Sequence, residues 1–88
     1  MARYDISSIE CGALGAVDTG IVYFQLGLSY ATGRSVPLDR VSAHKWFNLA
    51  ARAGVAGAAG LRRELAAEMT PDEIALAQRA AREHLGLH

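Results

Sequence analysis

An all-α fold of about four helices, paired as antiparallel hairpins, is predicted by three features of this sequence. Apolar residues recur at spacings of three and four through residues 21–31 and 41–53, which places them on one face of a helix. Gly33, Pro37 and Gly54 interrupt those stretches where the chain would reverse. Thr70, Pro71, Asp72 and Glu73 together form a helix-start signature: a capping hydroxyl, a proline at the first helical position and a glutamate three residues after the cap. The 88 residues suit one domain, and 51% hydrophobic against 20% charged side chains supply a core for it.

The elements follow in order. Residues 1–20 carry Gly12, Gly15 and Gly20 among Ile6, Ile9, Leu14 and Val17. Each glycine costs a helix about 1 kcal/mol, so this arm is expected to be loop with at most a short helical turn. A first helix starts at Ile21 and carries Tyr23, Leu26, Gly27 and Tyr30 on its face toward the next helix. Gly33 suits a left-handed C-cap, and Pro37 cannot continue a helix. Asp39 is a good N-cap for a second helix, whose core stripe is Ala43, Phe47 and Ala50 and which Gly54 ends. A third helix is expected over residues 55–68, with Gly54, Gly57 and Gly60 allowing close approach to the second and with Leu61 and Leu65 as apolar bulk. The fourth begins at Thr70, buries Ile74, Ala77, Ala81 and Leu85, and stops at Gly86.

Within residues 22–54 the series Val22, Leu26, Gly27, Tyr30, Gly33, Val36, Pro37, Asp39, Ala43, Trp46, Phe47, Ala50, Ala51 and Gly54 resembles one Sel1-like repeat, the tetratricopeptide-related helical hairpin. It departs from that pattern in having Val22 for alanine, Ser35 for glycine and Phe47 for tyrosine. The resemblance implies a Sel1-like repeat over residues 21–54. Arg62 and Arg63 stand where a following Leu-Gly pair would belong, so residues 55–88 read as a degenerate capping hairpin.

Candidate chemistry is sparse. Nine basic residues balance nine acidic ones, so no overall field draws in nucleic acid or an anionic membrane. Arg52, Arg62, Arg63, Arg79 and Arg82 are interleaved with Glu64, Glu68, Asp72, Glu73 and Glu83, the composition of a solvated mixed-charge surface. Cys11, His44, His84 and His88 match no compact zinc-ligand spacing, and Cys11 has no disulfide partner in the chain. No catalytic, metal or cofactor site is expected. No secretion leader or transmembrane stretch is recognisable, so a cytoplasmic protein without membrane contact is expected.

One surface feature points to a partner. With Tyr23, Leu26 and Tyr30 in the seam, Phe24 and Leu28 fall on the other side of the first helix, flanked by Ile21 and Ala31. The resemblance makes that side the concave, peptide-receiving surface. Such an apolar strip is expected to be covered by the chain's own residues 1–20, by a second copy, or by a protein or peptide partner. The expected function is accordingly a protein–protein interaction adaptor or regulatory module without catalysis. The alternative is an accessory subunit of an enzyme or nucleic-acid complex whose site another chain completes; a pocket joining Cys11 to His44 would favour the catalytic version.

Overall fold

The computed structural model describes residues 18–86, which form four α-helices joined by turns, with no strand among the described residues. They are α1 (Thr19–Thr32), α2 (Arg40–Arg52), α3 (Ala58–Ala66) and α4 (Pro71–His84). α2 packs against each of the other three, and those three scarcely touch one another. The core is therefore built around α2. Its Ala43, Phe47, Leu49 and Ala50 are all buried, together with Ala58 of α3 and Ala77 and Ala81 of α4.

α1 starts at Thr19, two residues before the expected Ile21, because the Asp18 carboxylate accepts a hydrogen bond from the Ile21 amide at 3.3 Å. Residues 1–17 of the expected arm, Cys11 among them, lie outside the described residues, and Gly20 belongs to the helix rather than to the arm. Gly20 and Gly27 are the buried positions of α1. A methyl group on Gly27 would lie 2.6 Å from two ring carbons of Phe47, and one on Gly20 would lie 2.9 Å from side-chain atoms of both Ala53 and Val55. Two turns apart on one face, these glycines let α1 lie almost directly on α2. Because Gly20 meets the end of α2 while Tyr30 accepts a hydrogen bond from the Asp39 amide at its start, the two helices are antiparallel.

The α1–α2 turn uses left-handed backbone at Gly33 (φ 75°) and again at Ser35 (φ 71°). For an L-residue with a Cβ that conformation costs about 1–2 kcal/mol, so Ser35 is a strained position. Asp39 caps α2 through the Ser42 amide at 3.2 Å. Thr70 and Glu73 form a full capping box at the start of α4: the Glu73 amide donates to the Thr70 hydroxyl and the Thr70 amide to the Glu73 carboxylate. Ile74 of α4 is half-buried, while Leu85, expected inside, stays 40% exposed beyond the last helical turn.

α3 departs most from expectation. It begins at Ala58, three residues late, because Gly54 (φ 88°) and Gly57 (φ 86°) both adopt left-handed backbone and hold the chain in turns until then. Nor do these glycines ease helix packing. Among the described residues nothing lies within 4 Å of a methyl placed on Gly54 or Gly57, and only the Arg63 guanidinium comes within 4.0 Å of one on Gly60.

Two comparisons test this account. Gly27→Ala gains about 1 kcal/mol of helix propensity but forces a buried ring to move, which costs about 1–3 kcal/mol, so the thermal midpoint should fall; Gly60→Ala gains the same propensity without a clash and should raise it. A Gly27→Ala midpoint at or above wild type would break the close-crossing argument. Ser35→Gly, which removes the left-handed strain at the cost of a more flexible unfolded chain, should stabilise by about 0.5–1 kcal/mol in urea denaturation.

Candidate functional site

Around α2 the other helices leave two kinds of surface. On one side α1 and α3 flank a groove of about 260 Å³ with Phe47 of α2 as its floor. Leu28, Ala31 and Thr32 form the α1 wall, and Leu61 and Leu65 form the α3 wall. Glu64 and Glu68 complete the α3 edge. Among the described residues α4 contributes nothing to the lining, and the groove stays open along its rim.

The expected strip is partly realised. Leu28 is 38% exposed and Ile21 44% exposed, while Ala31 is half-buried in the groove wall. Phe24 does not stand bare: it is half-buried, with its ring centroid 5.9 Å from that of Phe47 and inclined by 55°. The close crossing at Gly27 brings Phe47 across to meet it. Leu28 therefore carries the exposed apolar surface of this face, and Phe24 supports the floor beneath it. The spacing of Leu61 and Leu65 marks them as α3's apolar side. That this side faces Leu28 across α2 depends on where α3 starts.

On the opposite side, Tyr23 of α1 stacks on Trp46 of α2 with ring centroids 5.5 Å apart. His84, from the last turn of α4, meets both rings edge-on and shares a 3.2 Å hydrogen bond with the Tyr23 hydroxyl. The Lys45 ammonium sits 4.4 Å from the centroid of the Trp46 ring. Tyr23 and His84 are separated by 61 positions, so no local pattern announces this clasp. It ties α1 to α4, which have few other contacts, and gives Trp46 a packing role.

His44 is the residue whose surroundings the sequence least suggests. It lies 3% exposed within α2, three positions before Phe47, and its Nδ1 has no hydrogen-bond partner among the described residues. Burial, and secondarily the Arg62 charge, hold its pKa below the usual 6.5. Arg62 is itself fixed by a 2.9 Å hydrogen bond from its guanidinium to the Asn48 side chain, joining α3 to α2. A pocket joining Cys11 to His44 would involve a residue outside the described range. Among the described residues no three His, Cys, Asp or Glu side chains converge as metal ligands, and no helix is long and apolar enough to cross a membrane.

No protein-family model matches this chain. Neither a curated protein nor a solved structure matches it.

The buried histidine gives a pH dependence with a definite sign. In the unfolded chain His44 takes up its proton near pH 6.5, while in the fold it does so only at lower pH. Its contribution is thus fully present above about pH 6.5 and is lost as the pH falls toward the folded value. The urea midpoint of the wild type should drop between about pH 7.5 and pH 5.5, and His44→Leu should flatten that drop. An equal drop in both proteins would exclude His44 as its source.

Proposed function

We propose that this chain is an interaction module, an adaptor or regulatory domain of Sel1-like repeat type, that receives a segment of a partner protein in the groove between α1 and α3. The observation that carries this reading is the open apolar groove itself, floored by Phe47 and walled by Leu28 and Leu65. It lies on the side that the family resemblance makes peptide-receiving. Two local features support the repeat reading beside it. Gly27 packs against Phe47 where the pattern pairs a glycine with an aromatic residue, and Ser35 takes left-handed backbone where the pattern has glycine.

The magnitudes favour reversible association. Fully burying a leucine is worth about 1.5–3 kcal/mol, and Leu28 keeps only 38% of its surface exposed, so covering it adds about 0.5–1 kcal/mol. Phe24 adds less, being half-buried already. Affinity must come from several such contacts together, against the cost of ordering the bound segment. A shallow groove of this size suits a regulated encounter better than a permanent complex.

Peptides selected on the full chain from a displayed random library should bind the wild type and bind Leu28→Lys at least about tenfold more weakly, a loss of about 1.4 kcal/mol, because the change removes the leucine contact and also places an ammonium that the bound segment would desolvate. The helical circular dichroism should stay unchanged, since Leu28 is an exposed position. Selected peptides that bind both proteins equally would place recognition elsewhere. Self-association in sedimentation velocity that Leu28→Lys disperses would make a second copy the occupant instead.

A further inference from the structure

Among the described residues, both charged side chains that line the α1–α3 groove are carboxylates, Glu64 and Glu68. They stand four residues apart on α3, so they form one row along its edge, about 5–6 Å between neighbouring Cβ atoms. Leu61 and Leu65, also four apart, form a second row beside it that faces Phe47 and Leu28. α3 therefore presents an apolar row and an acidic row side by side. That arrangement is half of a helix–helix interface, in which rows of residues four apart pack into matching rows on the partner.

The dimensions narrow the occupant. At about 260 Å³ the groove falls below the roughly 300–1,000 Å³ of sites that enclose a small molecule, and it is open along its length. It accommodates side chains projecting from a larger body. Among the described residues there is no sheet edge, so an extended segment would gain no ladder of backbone hydrogen bonds here. A helix satisfies its own backbone and offers only side chains.

We infer that the groove selects a cationic amphipathic helix from a partner protein, whose aliphatic stripe lies over Leu28, Leu61 and Leu65 and whose flanking Lys or Arg residues, one turn apart, meet Glu64 and Glu68. Arg40 approaches Glu68 at 3.5 Å, but the two side chains are 46% and 66% exposed. An ion pair so open to water is weak, and a partner's cation can replace Arg40 at little cost. The inference rests on the proposed groove and adds to it the charge of the partner.

The same library selection on the full chain separates the two ideas. Selected sequences should carry Lys or Arg beside aliphatic residues at helical spacing. Their affinity should fall about three- to tenfold for the double variant Glu64→Gln with Glu68→Gln, and added salt should narrow the gap between the two proteins. Both substituted positions are exposed, and an unchanged circular dichroism spectrum verifies the fold. Peptides without a cationic bias, or peptides indifferent to the Glu64 and Glu68 changes yet lost with Leu28→Lys, would overturn the cationic partner and leave the groove standing. Peptides indifferent to Leu28→Lys, or a library that yields no binder, would overturn both.

Discussion

The seating of Phe47 against the bare backbone of Gly27 is the contact on which the rest of this fold depends. A ring that is 2% exposed needs a surface on which to lie, and the missing side chain of Gly27 provides it. A glycine inside a helix costs about 0.5–1 kcal/mol relative to alanine, whereas burying a phenylalanine contributes about 1.5–3 kcal/mol. The exchange is favourable only if the ring is buried well. Gly20 repeats the arrangement two turns earlier against Ala53 and Val55, so the crossing is set at two points rather than one.

With α1 held so close, α2 becomes the axis of the molecule. Alanines do most of the packing around it: Ala43 and Ala50 on α2, Ala58 on α3, and Ala77 and Ala81 on α4 are nearly or fully inaccessible. Small side chains permit short distances between helices but leave little bulk to spread outward. The larger apolar residues are accordingly displaced to the periphery, where Leu28 and Leu38 remain more than a third exposed. The groove between α1 and α3 is a consequence of this economy of volume. Among the described residues no helix roofs it, and α3, which forms one wall, begins only after the glycine turn at residues 54–57.

Among the described residues His44 is the exception to an otherwise apolar interior. A buried imidazole with an unpartnered Nδ1 is costly to keep even when neutral, and protonation beside Arg62 would add repulsion to desolvation. The α2–α3 contact, which forms one side of the groove, thus contains a group that opposes it in acid. By contrast, the Tyr23–Trp46–His84 clasp on the other side gains from three aromatic faces in edge and stacked contacts, and it fixes the end of α4.

What the sequence alone determined was whatever acts within one or two helical turns. The all-α class, the capping of α2 by Asp39, the capping box at Thr70 and the stripe of Ala43, Phe47 and Ala50 are all governed by neighbours three or four residues apart. Glycine marked the breaks but not their meaning, because the same residue serves a close crossing at Gly27 and a left-handed turn at Gly54 and Gly57. The seam face of the first helix already suggested the crossing at Gly27, but only the tertiary structure showed that Gly54 and Gly57 serve turns rather than close packing. It likewise decided that Phe24 leans on Phe47, that His84 reaches Tyr23, that His44 is sealed in, and that Leu28 faces Leu65 beside two carboxylates. Each of these depends on the rotation and depth at which helices cross, and rows of residues at spacings of three and four admit more than one crossing until the whole core has chosen.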